Sequence, residues 1–277
     1  MRTYLTYILI VLFTAFLYSC DGNETELPRR GICAHRGENH TNPENTLSAF
    51  KAAVSLGAHM IEFDVRMTKD GYLVIMHDKT VDRTTNGKGL VSEYTLKQIK
   101  ELDAGSWKSE RFKGEKVPLL SEVLDVIPGN IWINVHLKGD AKLGEETAKM
   151  LIEKRHTHHA FISCNNEVLQ GVKRVDGNIM TCNMERLKNR SEYVDSTISR
   201  GFRFIQLLKK RKDENFAGDV KRLREHGIMV SYYHAETAEE VTELFNSGVN
   251  FILTNSLEDM LNVADSLGIK PNKQGKR

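Results

Sequence analysis

The sequence predicts an α/β protein, a closed (β/α)8 TIM barrel with a small insertion behind a β-hairpin on its second strand. Three observations carry that expectation. Short apolar runs alternate with amphipathic helical patterns from Ile32 onward, and eight such runs are what a parallel barrel needs. The 277 residues, less a leader of twenty, suit a fold that takes about 250. A ninth apolar run, Leu73 to His77, follows the second after Asp70-Gly71, with no room for a crossover helix. It must fold back antiparallel, because Gly, and to a lesser degree Asp, tolerates the positive φ of a tight hairpin turn.

Composition narrows the class further. Charged residues make up 27% and hydrophobic ones 40%, which excludes disorder. The net charge is +2, too small for a general nucleic-acid binder, so any phosphate recognition must be local. Cys20, Cys33, Cys164 and Cys182 are too few and too scattered for a disulfide scaffold or a zinc knuckle; the last three lie in apolar runs and read as small core residues.

In chain order, residues 1–20 read as a signal peptide: Arg2 is basic, 4–18 is almost wholly apolar, and the stretch is too short and one-sided for a spanning helix. Leu17-Tyr18-Ser19-Cys20 resembles a bacterial lipoprotein box. This implies an exported protein held at an envelope membrane, periplasmic or outer, only through a lipidated Cys20; simple secretion is the alternative. Residues 21–30 form a tether, 31–269 the barrel and 270–277 a basic tail. The expected strands are 32–35, 60–66, 131–137, 159–163, 178–182, 202–207, 228–233 and 249–254. Helices 46–56, 141–155, 166–174, 190–200, 215–226, 237–247 and 257–266 fall between most of them. Residues 78–118 break the rhythm and read as a cap inserted at the active face.

A two-residue loop at Asp70-Gly71 pairs His77 with Asp64, and a four-residue loop pairs it with Glu62. In both registers Glu62, Asp64 and His77 share one face. His35 and Arg36 end the first strand, where barrel enzymes keep their chemistry. An imidazole that moves protons near neutral pH beside a guanidinium that forks phosphate oxygens suits a phosphoester. Glu62 and Asp64, two acids on one strand face, suit a hard cation. His156, His158 and His159 read as a solvated helix end, and Lys209 to Lys212 as a solvated charge run that would also draw in anions.

The motifs Ala34-His35-Arg36-Gly37, Asn42-Pro43-Glu44-Asn45-Thr46, Ile61-Glu62-Phe63-Asp64-Val65, Thr68-Lys69-Asp70-Gly71, His77-Asp78 and Arg83-Thr84-Thr85-Asn86-Gly87 together resemble the glycerophosphodiester phosphodiesterase family. That family shares its barrel and two-histidine logic with phosphatidylinositol-specific phospholipases C. The resemblance implies a phosphoric diester hydrolase that converts deacylated phospholipids to glycerol 3-phosphate and an alcohol. It makes His35 and His77 the acid/base pair. Arg36 and Lys138 become phosphate contacts, with Glu44 and Asn45 as support and Tyr233, or Tyr232, as the substrate-facing aromatic. One divalent cation, Mg²⁺, Ca²⁺, Mn²⁺ or Zn²⁺, would be held by Glu62, Asp64 and the residue at 136. There the family places a Glu and this chain has His136, which disfavours Ca²⁺. The family's closing Gly-Val-Asp-Gly-Ile-Ile-Thr-Asp-x-Pro pattern becomes Gly248-Val249-Asn250-Phe251-Ile252-Leu253-Thr254-Asn255-Ser256-Leu257 here, a change expected to affect only a helix start. A family enzyme for another phosphodiester, and a phosphodiester-binding lipoprotein without turnover, are the competing readings.

Overall fold

The computed structural model describes residues 27–187, 189–208 and 215–272. Cys20 and the leader, most of the tether, Lys209 to Lys212 and the last five residues of the tail lie outside the described residues.

Eight parallel strands close into a barrel. They are β1 (Gly31–His35), β2 (Met60–Met67), β4 (Trp132–Leu137), β5 (Ala160–Cys164), β6 (Thr181–Asn183), β7 (Phe204–Leu208), β8 (Met229–Tyr233) and β9 (Phe251–Thr254). Each pairs with the next, and β1 closes the ring by pairing with both β2 and β9. The outer layer comprises α1 (Leu47–Leu56), α4 (Ala141–Glu153), α5 (Asn166–Val175), α6 (Arg190–Ser199), α7 (Phe216–Glu225), α8 (Ala238–Asn246) and α9 (Leu257–Ser266). Short polar side chains start them, as Thr46 does for α1, Asp140 for α4, Asn165 for α5, Asn189 for α6 and Thr237 for α8, each accepting from a backbone N–H of the first turn. β6 starts at Thr181, three residues after the expected 178, because Asp176 accepts from the Asn178 N–H and prolongs the turn after α5.

Alternation along the strands divides the core. Outward residues such as Ile61, Phe63, Ile133 and Val230 pack against the helices. Inward residues Cys33, Met60, Trp132, Phe161, Cys182, Phe204 and Phe251 plug the barrel, with Phe161 stacked on Phe204 at 3.7 Å. Burial pushes the Cys33, Cys164 and Cys182 thiols well up, as befits core residues.

β2 is longer than β1 and projects past the rim. There β3 (Leu73–Ile75) pairs with it antiparallel, Val65 with Ile75 and Met67 with Leu73. Gly71 takes φ +88° in open space, so conformation alone demands the glycine. The loop is five residues, Thr68 to Tyr72, because Thr68 Oγ1 accepts from the Tyr72 N–H and the Thr68 N–H donates to the Tyr72 carbonyl. Both expected registers are therefore corrected: Met76, not His77, lies opposite Asp64, its N–H donating to the Asp64 carbonyl. The strand ends at Ile75, and the bend that follows, not strand alternation, carries His77 to the acids. Residues 78–118 contain α2 (Leu96–Glu101) and two 3₁₀ turns, and α3 (Leu120–Leu124) follows. The segment has its own apolar cluster of Val81, Val91, Ile99, Ala104 and Val117 against Val74 and Met76. Asp70 anchors it by accepting from the Leu96 N–H at 3.0 Å.

The histidine cluster also departs from expectation. His159 is fully buried: Nδ1 donates to the Ile131 carbonyl at 2.7 Å and Nε2 accepts from His156 Nδ1 at 2.6 Å. Alternation in the strand that opens at Ala160 draws it inward, and a neutral ring satisfies both partners without a charge.

Candidate active site

The turn after β1 is shaped by two residues with φ of +58°, Arg36 and Asn45, the latter a type that tolerates this region. Gly37 follows at +79°, where a Cβ would stand 2.8 Å from the Ala49 backbone. This geometry folds Pro43–Thr46 over the strand end, with the Asn45 N–H donating to the Arg36 carbonyl. Asn45 Nδ2 donates to Asp64 at 3.1 Å, Thr46 caps α1, and Glu44 accepts from Arg36 at 2.8 Å. Glu44 also takes both Nη groups of Arg83, whose Nε bonds Asp78 at 2.6 Å. The cap is thus tied to the strand-end turn through a chain of charges. Burial would lift the Glu44 carboxyl, but Arg83 and Arg36 hold it below its ordinary value.

Glu62 and Asp64 rise from β2 into a cleft of about 160 Å³ that also contains His35, Arg36, His77, His136, Lys138 and Tyr233. Both acids are almost fully buried. Burial would raise the Asp64 carboxyl; its positive surround, His136 when protonated and the standing charges of Lys138 and Arg36, holds it below the usual range instead. The enclosed position of His136 and the neighbouring Lys138 lower its pKa, which favours the neutral imidazole and its lone pair. One ligand atom each from Glu62, Asp64 and His136 lie within 4.8 Å of one another. Lys138 Nζ stands among them, 3.3 Å from Asp64 and 3.0 Å from His136 Nδ1. A set of two carboxylates and an imidazole around a place already taken by a positive charge fits a divalent cation.

Both candidate catalytic rings are held by Nδ1. His35 Nδ1 lies 2.8 Å from Asn255 Oδ1, which also accepts from Asn39 Nδ2 at 2.7 Å. An amide oxygen can only accept, so Nδ1 carries the proton. His77 Nδ1 lies 2.6 Å from the Asp78 carboxylate, and the same logic protonates it. Nε2 is therefore the nitrogen that each ring leaves for proton exchange, and that of His35 is 4.0 Å from Glu62. Tyr233 meets the His35 ring edge-on at 5.3 Å, whereas Tyr232 points outward against Phe216, which decides between the two aromatics.

The profile of the glycerophosphoryl diester phosphodiesterase family matches residues 35–259. The chain belongs to this family. It is 32% identical over 243 residues to a glycerophosphodiester phosphodiesterase of Caldanaerobacter subterraneus, covering 84% of this chain and 96% of that one. A second relative from Bacillus subtilis is 30% identical over 270 residues, with 90% and 91% covered. Among solved structures, an Oleispira antarctica phosphodiesterase in complex with the product sn-glycerol-3-phosphate superimposes with a TM-score of 0.75 at 26% identity, covering 85% of this chain and 96% of that one. The fold, the phosphodiesterase activity and glycerophosphodiesters as substrate class follow from membership in the glycerophosphoryl diester phosphodiesterase family.

In this family member the structure gathers all ten residues singled out from the sequence around one rim. It adds Arg66, Asn255, Arg83, Arg186 and Gln206. Arg66 donates from Nε and Nη2 to the His77 carbonyl and from Nη1 to the Lys138 carbonyl. Its signal was available, since Glu62, Asp64 and Arg66 alternate on one face. Asn255 overturns the expectation for its position: it orients His35 and does more than start a helix. Its N–H donates to Glu236 at 2.9 Å. Arg186, in the loop after β6, and Gln206, on β7, lie far along the chain and carried no local motif.

Proposed function

We propose that this enzyme hydrolyses glycerophosphodiesters to glycerol 3-phosphate and an alcohol by metal-dependent catalysis in which His35 and His77 exchange protons with the substrate. The observation that carries the reading is the pair of Nδ1 anchors, which leaves two Nε2 atoms for chemistry in one cleft. The anchors differ. A carboxylate partner stabilises an imidazolium where an amide does not, which favours His77 as donor to the leaving alcohol and His35 as acceptor from the attacking oxygen. That oxygen is the substrate's own neighbouring hydroxyl or a water. Arg36, aligned by Glu44, and Lys138 neutralise the phosphate oxygens.

Glu62, Asp64 and His136 would hold the divalent cation, whose contribution is to polarise the phosphoryl group. Lys138, now bonded among those three, would be released toward the phosphate. With one nitrogen and two carboxylates the seat leans from Ca²⁺ toward Mn²⁺, Zn²⁺ or Mg²⁺.

The test is to incubate the purified body with a panel of deacylated phospholipids and each metal in turn, and to detect glycerol 3-phosphate. Turnover that survives metal chelation would defeat metal dependence. Anchoring at an envelope membrane through Cys20 belongs to the same proposal; it predicts that Cys20→Ser releases the protein from membranes, and unchanged partitioning would remove the anchor.

A further inference from the structure

Asn39 does not line the cleft, yet its side chain closes a hydrogen-bond circuit on the ring of His35. Its Nδ2 donates to the His35 carbonyl at 2.9 Å and to Asn255 Oδ1 at 2.7 Å. Asn255 Oδ1 in turn lies 2.8 Å from His35 Nδ1. The loop that carries Asn39 is braced on both sides. The buried Glu38 carboxylate accepts from Thr41 Oγ1 at 2.7 Å and from Asn42 Nδ2 at 2.6 Å, and Lys108 of the cap donates to the Asn39 carbonyl at 2.9 Å.

The circuit has one self-consistent assignment of protons. A backbone carbonyl can only accept, so the end of the Asn39 amide that faces His35 must be the NH2, with one hydrogen for the carbonyl and one for Asn255. Asn255 must answer with its oxygen, whose two lone pairs serve Asn39 and the imidazole. His35 Nδ1 must therefore donate. Without Asn39 the Asn255 amide could turn its NH2 toward the ring and engage the Nδ1 lone pair, and the ring proton would move to Nε2. Glu62, 4.0 Å from Nε2, pulls in that same direction. An Nε2 that already holds a proton cannot accept one from an attacking oxygen.

We propose that Asn39 is a positioning residue: it sorts the two ends of the Asn255 amide and so keeps the proton of the neutral His35 ring on Nδ1. The role rests on the two-histidine reading of the site and adds the group that fixes the tautomer of one of its rings.

The test reads tautomer and turnover separately. Nitrogen NMR of histidine-labelled protein, at a pH high enough for neutral rings and with the His35 signals identified by their loss in His35→Ala, should show Nδ1 protonated in the wild type. Asn39→Leu should move the proton in part to Nε2 and lower kcat about five- to tenfold, the worth of one neutral hydrogen bond. Asn39→Asp offers Asn255 only acceptors, so it should turn the NH2 of Asn255 inward and lower kcat by about a hundredfold, as a wrong tautomer does. A carboxylate at 255 has no donor end to sort. In the Asn255→Asp background, Asn39→Leu should therefore leave Nδ1 protonated and change kcat by less than about twofold relative to that background. An equal loss in both backgrounds would make Asn39 a brace for the His35 carbonyl and overturn the proposal, as would a wild-type ring protonated on Nε2 or a tautomer indifferent to Asn39→Leu. The expected spectra with kcat unmoved would leave the tautomer lock standing and sink the acid/base role of His35 instead.

Discussion

Arg66 grips the carbonyl of His77 with two hydrogen bonds, at 3.0 Å and 2.7 Å, while its third arm holds the carbonyl of Lys138 at 3.0 Å. One guanidinium therefore sets the spacing between the proposed proton-transfer ring and the proposed phosphate contact, which belong to different loops. Arg66→Met should lower kcat by about ten- to a hundredfold through misplacement of both groups, with little change in KM. Arg66→Lys should recover part of the loss, because an ammonium can serve one carbonyl but cannot fork across two. Steady-state kinetics decide it; an unchanged kcat in the Met variant would end the positioning role.

Removal of either proposed catalytic ring should be more severe. His35→Ala and His77→Ala should each reduce turnover by about two orders of magnitude or more. His77, about a third exposed, should be removed with little effect on thermal stability. His35 is only 7% exposed and bonded to Asn255, so its loss should cost about 1 kcal/mol as well. Near-wild-type turnover in both variants would reject the two-histidine mechanism.

The imidazole at 136 should govern metal choice. His136→Glu adds a hard oxygen donor and a negative charge, and so should raise Ca²⁺ affinity relative to Mn²⁺. Calorimetric titration of both proteins with each ion reads this without reference to turnover. If the wild type already prefers Ca²⁺ and the variant gains nothing, His136 is not a metal ligand.

Stability should fall on acidification through His159. Burial, then its histidine neighbours, depress this ring to about 4, against about 6.5 in the unfolded chain. Between those values the unfolded state binds more protons, so stability rises with pH. The contribution is full above about 6.5 and is lost as pH falls toward 4. Urea midpoints at pH 7 and pH 5 should differ, and His159→Gln should be less stable at pH 7 but lose less between the two. An equal loss in both proteins would place the acid sensitivity elsewhere.

Local pattern determined the larger part of this protein. Apolar periodicity marked the eight barrel strands and seven outer helices, and the clustered motifs from His35 to Gly87 marked the first half of the site. Both signals are short-range: alternation and caps depend on neighbours in the chain, and the Pro43–Thr46 turn contacts a strand end only a few residues away. The β3 register was decided instead by Thr68 bonding across a five-residue loop, a competition between turn geometries that Asp70-Gly71 alone does not reveal. Burial of His159 likewise required the Ile131 carbonyl from a neighbouring strand. Asn255 reaches His35 across 220 residues, and Arg186 faces it only because the sheet closes. Hydrogen bonds and charges that meet around a ring depend on closure, which no window of sequence contains; tertiary structure alone placed them.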